Sequence, residues 1–358
     1  MSAPAAEPAD LIVYGLGATG QRVVDHLLSQ DRPVAAIADA NKAGQSYRGL
    51  PILSIDDLRR LNLQQTDCIL GLHNHYVDLA AVDGTLRSLG FRSVAGLPAL
   101  GRHCDATGFD AGYWLNFAFH AADHAAELAA VRDLLADETS RTVLESIVRF
   151  RRSGDVRECP VPSIADEYVP ADLPRYREPV RLIDCGAYDG AAIRTFHDAG
   201  YHLGGLIAFE PDPQNYAALV AGLGPVDSAI LLPMAVWSSN TQLRFSSSGS
   251  MASTLSESGD IVIPCGRFDD LARGFSPTVV KMDVEGAEIE ALKGMERTIR
   301  DHRPDLCLSV YHTPQHLHEI PLLVASWDLG YTFHLRVHEH NTFGTVLYAR
   351  QSGAASRR

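Results

Sequence analysis

The chain has 358 residues, of which 46% are apolar and 21% are charged, a length sufficient for two ordinary domains and a composition typical of folded globular proteins. Its formal net charge is −13, with 31 Lys and Arg against 44 Asp and Glu, which is the wrong sign for a nucleic-acid partner. The sequence shows no secretory signal and no run of roughly 18 apolar residues, so we expect a cytoplasmic protein without a membrane span.

The first predicted domain, residues 1–105, opens with a buried strand, a glycine turn and an amphipathic helix. The strand 11–14 runs into G-L-G-A-T-G at positions 15–20, and a second apolar run ends on Asp39. Because a G-x-G-x-x-G turn followed by an acid about 20 residues later is the dinucleotide fingerprint, we predict a Rossmann-like accessory domain. Its candidate nucleotide-binding residues are Gly15, Gly17, Gly20 and Asp39.

Several uses of this first domain remain open. It is either a scaffold without a ligand, or a site for NAD, another nucleotide or a nucleotide-sugar, or a redox domain. The domain loosely resembles the small nucleotide-binding domains that precede sugar-modifying enzymes, and by this resemblance the segment G-L-H-N-H-Y, residues 71–76, would hold a nucleotide-sugar or carrier group. Redox activity is the least favoured use, because residues 11–100 have no catalytic Tyr/Lys pair or Cys near the Gly15 turn.

Residues 106–178 are predicted to be a connecting region rather than a domain. Apolar positions in 109–152 recur three or four residues apart, which is typical of helices. The following stretch, 154–177, contains four prolines and is predicted to form loops and isolated turns. This Pro-rich segment lies just ahead of the second domain, and we expect it to lie over the ligand cleft of that domain.

The second domain, residues 179–350, opens in the same way but with a different spacing. A buried strand ends on Asp184, and the small residues after it include Gly186 and Gly190, with Tyr188 between them. Glycines at these positions remove side chains where a cofactor approaches the backbone. The spacing is not that of a dinucleotide turn, and an acid among small residues suits a ligand with a positive amino group and no pyrophosphate. The pattern therefore favours S-adenosylmethionine over NAD.

The next predicted strand, 205–209, also ends on an acid. It is followed by E-P-D-P, which places Glu210 26 positions after Asp184 and Asp212 just beyond. A glutamate at the tip of the second strand can accept hydrogen bonds from both ribose hydroxyls of a bound cofactor. We therefore predict that this segment binds the cofactor.

A third buried strand, 279–282, runs into Asp283 and Glu285. Because acids at the carboxyl ends of parallel strands face the crevice where open α/β sheets bind ligands, we expect one shared site. The alternative interpretation is that Asp184, Glu210 and Asp283 are separate helix caps or turn residues. The occurrence of all three in this order favours the site.

Four motifs in this half of the chain form a recognisable set. They are D-C-G-A-Y-D-G at 184–190, E-P-D-P at 210–213, A-V-W-S at 235–238 and K-M-D-V-E-G-A-E at 281–288. Together they resemble the pattern of the FkbM-type methyltransferases, over roughly residues 134–349. The resemblance implies a class I methyltransferase fold, S-adenosylmethionine as cofactor, and O-methylation of a hydroxyl on a sugar, glycan, polyketide or other secondary metabolite.

The same resemblance implies roles for individual residues. Asp184, Gly186 and Tyr188 would line the methionine part of the cofactor, Glu210 would hold the ribose, and Asp283 would lie at the reacting centre. Ala235 and Val236 would border the adenine. The complete set of predicted cofactor-binding residues is Asp184, Gly186, Tyr188, Gly190, Glu210, Asp212, Ala235 and Val236.

Methyl transfer to a hydroxyl requires alignment of the reactants and removal of one proton. The predicted catalytic residues are Asp283, Glu285 and His312, and the free pKa of histidine lies nearest the working pH. The alternative for His312 is an imidazole hydrogen-bonded within a strand-to-helix turn. Lys281 is expected to pair with a carboxylate or to point into the sheet.

A divalent metal is a less favoured alternative for the same region. Histidines are frequent in the last quarter of the chain, but their spacing matches no compact ligand motif, and we predict no metal site. The residues that this alternative would draw on are His312, His316, His318, His334, His338, His340, Asp283, Glu285 and Glu339.

The sequence therefore predicts an α/β protein with two Rossmann-like parallel-sheet domains, a helical linker and a disordered tail, residues 351–358. The expected function is S-adenosylmethionine-dependent methyl transfer to a small-molecule or glycan acceptor, and the sequence is compatible with a homo-oligomer. The alternatives are a nucleotide- or nucleotide-sugar-binding modifying enzyme and a non-catalytic binding protein. The intact acids Asp184, Glu210 and Asp283 argue against the last of these. The six cysteines, which contain no C-x-x-C pair, predict neither disulfides nor a zinc site.

Overall fold

The computed structural model describes residues 10–351, apart from 118, 120, 247–253 and 256–260. The chain divides into two compact units. The N-terminal unit consists of Met1–His124, Val143–Val161 and Glu339–Phe343, and the C-terminal unit consists of Ala125–Thr142, Pro162–His338 and Gly344–Arg358. The tail predicted for residues 351–358 lies, except for Gln351, outside the described residues.

The N-terminal unit is built on a six-stranded sheet. Its strands are β1 (Asp10–Tyr14), β2 (Ala36–Ala38), β3 (Ser46–Tyr47), β4 (Leu50–Leu53), β5 (Thr66–Leu70) and β6 (Ser93–Ala95). Its helices are α1 (Ala18–Ser29), α2 (Ile55–Leu58) and α3 (Leu79–Ser88). The order is β3-β4-β2-β1-β5-β6, and all neighbours are parallel except β3 and β4.

The connecting region begins differently from the helical prediction. Strands β7 (Asp110–Gly112) and β8 (Leu115–Asn116) form an antiparallel hairpin. The turn between them has positive φ at Gly112 (83°) and Tyr113 (54°), which a continuing helix does not allow. The helices begin later, with α4 (Ala125–Leu134) and α5 (Glu138–Ser153). Short 3₁₀ helices occupy Leu97–Arg102, Ala121–His124, Val156–Glu158, Ile164–Asp166 and His340–Thr342.

The C-terminal unit contains a seven-stranded sheet. Its strands are β9 (Val180–Cys185), β10 (Leu203–Phe209), β11 (Ala229–Leu232), β16 (Val279–Met282), β17 (Asp305–Ser309), β18 (Tyr331–Val337) and β19 (Thr345–Gln351). A smaller sheet is formed by β12 (Ala235–Val236), β13 (Thr241–Ser246), β14 (Thr254–Leu255) and β15 (Ile261–Gly266). The helices are α6 (Ala191–Asp198), α7 (Pro213–Gly222), α8 (Phe268–Leu271), α9 (Glu288–Gly294), α10 (Glu296–His302) and α11 (His316–Ser326).

The large sheet of this unit is mostly parallel and buried on both faces. The order is β11-β10-β9-β16-β17-β19-β18. Strand β19 is antiparallel to both of its neighbours, β17 and β18, and the other neighbours are parallel. Nearly every residue of β9, β16 and β17 is buried, as expected for parallel strands covered by helices. The predicted α/β class and the two parallel sheets are confirmed.

Both sheets have a point at which the strand order reverses. In the N-terminal unit, β1 has β2 on one side and β5 on the other, and in the C-terminal unit, β9 lies between β10 and β16. Ligands of open α/β sheets bind outside the carboxyl ends of the strands at such a switch point. No helix in the described part of the chain is long and apolar enough to span a bilayer.

Candidate active site

The switch point of the C-terminal unit is formed by two chain segments in direct contact. Gly186 follows β9 with φ +77°, and a Cβ at this position would lie 1.8 Å from the carbonyl oxygen of Asp283, which follows β16. The Asp283 amide also donates to Cys185 O at 3.0 Å. Only glycine fits here, because the conformation is left-handed and the neighbouring atom is backbone.

We expect Gly186→Ala to destabilise the C-terminal unit strongly. The matched control is Gly200→Ala, because Gly200 has nearly the same φ of +75° but nothing within 4 Å of the position that a Cβ would take there. Both variants bear the cost of a left-handed alanine of about 1 kcal/mol, and Gly186→Ala bears the steric conflict in addition, about 2 kcal/mol or more. Urea unfolding of both variants measures the difference, and equal midpoints would contradict the close approach.

The rest of the turn between β9 and α6 is also constrained by backbone contacts. The amides of Gly186 and Ala187 both donate to Phe209 O, at 2.9 and 3.0 Å. Tyr188 has φ +49°, and Gly190 has φ +87° as the N-cap of α6. A non-glycine residue in the left-handed region is costly and clusters at functional sites.

Asp184 lies beneath this turn and is fully buried. Lys281 Nζ lies 3.1 Å from Asp184 Oδ1 and donates to Gly186 O at 2.5 Å. Burial raises the pKa of Asp184, and the Lys281 ammonium opposes that rise. The Asp184 carboxylate is therefore paired with Lys281, and its predicted contact with the methionine part of the cofactor stays a prediction. The alternative expectation for Lys281, pairing with a carboxylate, agrees with this arrangement.

Glu210 follows β10 and faces the glycine turn. Its Oε2 accepts the Tyr188 amide at 2.8 Å, and its Oε1 accepts the Asp212 amide at 2.8 Å. Burial raises the pKa of Glu210, and these two N–H groups counteract the rise. Each carboxylate oxygen has a second lone pair, so the side chain can still accept hydrogen bonds from a ligand.

Asp212 has a structural role, although the sequence predicts that it binds the cofactor. It is fully buried and caps α7, with Oδ1 accepting the amides of Gln214 at 2.9 Å and Asn215 at 3.1 Å. This helix-capping role was not predicted for Asp212, and its predicted contact with the cofactor stays a prediction. Ala235 and Val236 form β12 of the small sheet, paired with β15, and their predicted position beside the adenine stays a prediction.

The three predicted catalytic residues lie together. His312 Nε2 lies 3.2 Å from Asp283 Oδ1 and 3.5 Å from Glu285 Oε2. The carboxylates are partly exposed, whereas the imidazole is almost completely buried. Glu285 has φ +54°, a second strained non-glycine residue at this switch point. Asp283, Glu285 and His312 therefore form a cluster that can exchange a proton with a molecule in the crevice.

Glu288 contacts His312 on the ring nitrogen that faces away from Asp283 and Glu285. The sequence analysis did not identify it as a functional residue. It is fully buried, with Oε1 2.8 Å from His312 Nδ1 and Oε2 3.2 Å from His316 Nδ1. A buried carboxylate on the far ring nitrogen fixes the orientation of an imidazole. Glu288 belongs to the last motif quoted from the sequence, but no local signal connects it with a histidine 24 positions later.

Tyr168 is a second residue that sequence analysis missed. It lies in the Pro-rich segment, and its hydroxyl donates to Asp283 Oδ2 at 2.9 Å. Its ring lies over Lys281, with Nζ 5.3 Å from the ring centroid. Within the C-terminal unit, this segment therefore contacts one of the cluster carboxylates directly.

The charges around His312 move the pKa values of the cluster apart. Burial lowers the pKa of His312, but Glu288, Glu285 and Asp283 outweigh it and raise the pKa to about 10. Burial raises the pKa of Glu285 to about 8 despite the opposing charge of His312. Burial also acts to raise the pKa of Glu288, yet the two histidines hold it well below its usual range. Glu285, rather than His312, is therefore the group that titrates near neutral pH.

Three of the remaining histidines have partners outside this cluster or belong to the other unit. His334 pairs with Asp137, and His338 lies between Ser163 O and the Tyr348 hydroxyl, 2.7 Å from each. His340 belongs to the N-terminal unit. Among the described residues, the arrangement that could hold a metal ion consists of Asp283, Glu285 and His312, each offering one ligand atom within 4.8 Å of the others.

In the N-terminal unit, the acid of the fingerprint, Asp39, accepts hydrogen bonds from backbone amides around the glycine turn. Asp39 Oδ2 accepts the Leu16 amide at 2.7 Å, and Oδ1 accepts the amides of Asn41 and Lys42. A Cβ on Gly20 would lie 1.9 Å from Gly15 O, so helix α1 packs directly on the turn. Gly17 is the N-cap of α1. These contacts bring the four predicted residues together, but they use the Asp39 carboxylate within the protein.

The chain is similar to a known protein family and to a solved structure. Residues 184–333 match the family model described as Methyltransferase FkbM domain. The fold is similar to the crystal structure of methyltransferase FkbM from Methylobacillus flagellatus KT, with a TM-score of 0.71 and 21% sequence identity over 96% of this chain and 90% of that chain. No curated protein matches the chain. The resemblance inferred from the four motifs is confirmed.

Proposed function

We propose that the protein transfers the methyl group of S-adenosylmethionine to a hydroxyl of a sugar, a glycan or a secondary metabolite, since residues 184–333 match the family model described as Methyltransferase FkbM domain. The observation that carries this proposal is the meeting of the Gly186 turn with the cluster of Asp283, Glu285 and His312 at one switch point. A cofactor site and a proton acceptor thereby share one crevice.

In the proposed cofactor site, the cofactor is bound by the backbone of the turn at Gly186 and by the carboxylate of Glu210. Gly186 and Tyr188 line the methionine part, with Gly190 beginning the helix behind them. Glu210 accepts the ribose hydroxyls through lone pairs that its two backbone bonds leave available. Asp184 acts through Lys281 as a positioning residue, because the ammonium connects its carboxylate to Gly186 O. Ala235 and Val236 border the adenine.

In the proposed reaction, the protein aligns the two reactants and removes one proton from the acceptor hydroxyl. S-adenosylmethionine supplies a methyl group already activated by a sulfonium. Glu285 takes the proton of the acceptor hydroxyl as the new C–O bond forms, and the C–S bond electrons remain on the departing thioether. Its pKa of about 8 suits a base that works near neutral pH. The His312 imidazolium, which pairs with both Asp283 and Glu285, holds the Glu285 carboxylate in place.

The acceptor class is tested with S-adenosylmethionine carrying a deuterated methyl group. The full-length protein is incubated with alcohols from three classes, namely sugars, glycosides and phenols, and with amines of similar size. We expect mass spectrometry and NMR to locate the label on an oxygen. Label found only on nitrogen, sulfur or carbon would contradict the proposal of O-methylation, while leaving the assignment as a methyltransferase intact.

We expect methyl transfer to continue in excess EDTA. The cationic His312 already neutralises the carboxylates that a divalent ion would otherwise bind, so the reaction needs no metal for charge balance. Initial rates with and without chelator, using the acceptor identified above, should agree within about twofold, as expected when no transition-state interaction is removed. Loss of activity that only added Mg²⁺, Mn²⁺ or Zn²⁺ restores would show that the cluster is a metal site.

A further inference from the structure

The switch point of the N-terminal unit contains polar groups for which the described part of the chain provides no hydrogen-bond partner. Among the described residues, three neighbouring side chains each have a buried polar atom without a hydrogen-bond partner, namely His73 Nδ1, Trp114 Nε1 and Arg151 Nε. The His73 and Trp114 ring centroids lie 5.0 Å apart, and Arg151 Cζ lies 4.7 Å from the Trp114 centroid. Buried polar groups are nearly always paired, so such a group calls for a ligand or solvent partner.

These side chains are held beside the glycine turn. The Gly71 amide donates to Tyr14 O at 2.8 Å, at the end of β1, and a Cβ on Gly71 would lie 2.9 Å from both Gly15 O and Gly20 Cα. His73 follows two residues later. The cluster therefore lies outside the carboxyl ends of β1 and β5, where sheets of this kind bind ligands.

Arg151 carries a charge that the described part of the protein does not neutralise. Within the described residues no carboxylate pairs with its guanidinium, and burial lowers its pKa to about 9. Its hydrogen bond in the N-terminal unit is a long one, 3.5 Å to Thr342 Oγ1. Arg151 is partly buried, and a partly buried guanidinium without a counter-ion is costly, so an anionic ligand would lower that cost.

The hydrogen-bonding types of the three groups define a complementary ligand. Trp114, only 3% exposed, and Arg151 can only donate, so both require acceptors. His73 Nε2 lies 3.0 Å from Gly112 O and must donate to that carbonyl, which leaves Nδ1 as an acceptor. The ligand must therefore carry an anionic group and a hydrogen-bond donor, and a hydroxyl supplies such a donor. Helix α1 of the same unit begins after Gly17 without a side-chain cap, and such a helix start favours phosphate as the anion.

We propose that the N-terminal unit binds a sugar phosphate, free or as part of a nucleotide sugar, with its phosphate on Arg151 and Trp114 and a sugar hydroxyl on His73. This site is separate from the proposed methyltransferase site and does not depend on that function. The Asp39 carboxylate of the fingerprint accepts three backbone amides, which leaves it one lone pair for a ribose hydroxyl, fewer than the two that Glu210 has.

The test is calorimetric titration of the full-length protein with glucose 1-phosphate, UDP-glucose, NAD and inorganic phosphate. The variants are Arg151→Met, which removes the charge, and Trp114→Phe, which removes the N–H but keeps a ring. The matched control is Arg152→Met, because Arg152 is exposed on the same helix. Thermal unfolding shows that each variant is folded.

We expect a sugar phosphate to bind the parent, Arg151→Met to weaken it about a hundredfold, Trp114→Phe about tenfold, and Arg152→Met not at all. UDP-glucose binding more tightly than glucose 1-phosphate identifies a nucleotide-sugar site, and equal affinities identify a site for the sugar phosphate alone. The proposal is overturned if neither binds, if NAD or inorganic phosphate binds as tightly, or if folded Arg151→Met and Trp114→Phe bind like the parent.

Discussion

Replacing Glu210 with alanine is expected to weaken binding of S-adenosylhomocysteine about a thousandfold. Glu210 is the acid at the end of β10, and the proposed role gives it two charge-assisted hydrogen bonds to the ribose, each contributing roughly 1.5–3 kcal/mol. The substitution also removes the acceptors of the Tyr188 and Asp212 amides, which loosens the turn that is proposed to line the cofactor. Isothermal titration of parent and variant measures the change.

Two further variants separate these contributions. Glu210→Gln keeps the length of the side chain and one acceptor oxygen, and we expect an intermediate loss of affinity. Glu319→Ala, at an exposed position of α11, controls for the loss of one negative charge and should bind like the parent. If folded Glu210→Ala binds S-adenosylhomocysteine as tightly as the parent, Glu210 does not hold the ribose.

Replacing Glu285 with glutamine is expected to lower kcat about a thousandfold while S-adenosylhomocysteine affinity stays within about twofold. The variant keeps the shape of the side chain but cannot accept the hydroxyl proton, and a positioned general base contributes roughly 10²–10⁴ in rate. Steady-state kinetics with the identified acceptor measures the loss. Glu319→Gln serves as the matched control and should leave kcat unchanged.

The same assignment predicts the pH dependence of the parent enzyme. Glu285 must lose its proton to act as a base, and because its pKa is raised to about 8, kcat should increase as the pH rises through about 8. His312 must keep its proton to hold the carboxylates, and its pKa of about 10 predicts a decline above that pH. A profile with its ascending limb near pH 4, where an ordinary carboxyl titrates, would remove Glu285 as the base.

The parts of the site that could be predicted from the sequence are those with local signals. A buried run followed by a glycine or an acid identifies the end of a strand, and parallel strands bring such ends together. This reasoning groups Asp283, Glu285 and His312, and they lie in contact. The spacing of glycines likewise indicates the turn at Gly186.

The parts that could not be predicted depend on contacts between distant positions. Tyr168 and Asp283 are 115 residues apart in sequence, and nothing near either residue indicates the other. The choice of base shows the same limit. The free pKa of histidine points to His312, but three carboxylates raise that value while burial raises the pKa of Glu285, and burial depends on the whole fold.

The position of Asp184 illustrates a second limit. An acid at a strand end looks the same in the sequence whether it faces a ligand or a buried cation. The buried cation beside Asp184 is Lys281 on the neighbouring strand β16, because the register pairs these two residues directly. The helical prediction for 109–152 was wrong at its start because the chain forms a left-handed turn at Gly112 and Tyr113. The spacing of apolar residues does not indicate such a turn.

The most direct test is titration of the full-length protein with S-adenosylhomocysteine and, in parallel, with NAD. We expect saturable binding of S-adenosylhomocysteine that Glu210→Ala weakens about a thousandfold and Asp39→Ala leaves unchanged. Binding of NAD alone, lost in Asp39→Ala, would contradict it and move the cofactor site to the glycine turn of the N-terminal unit.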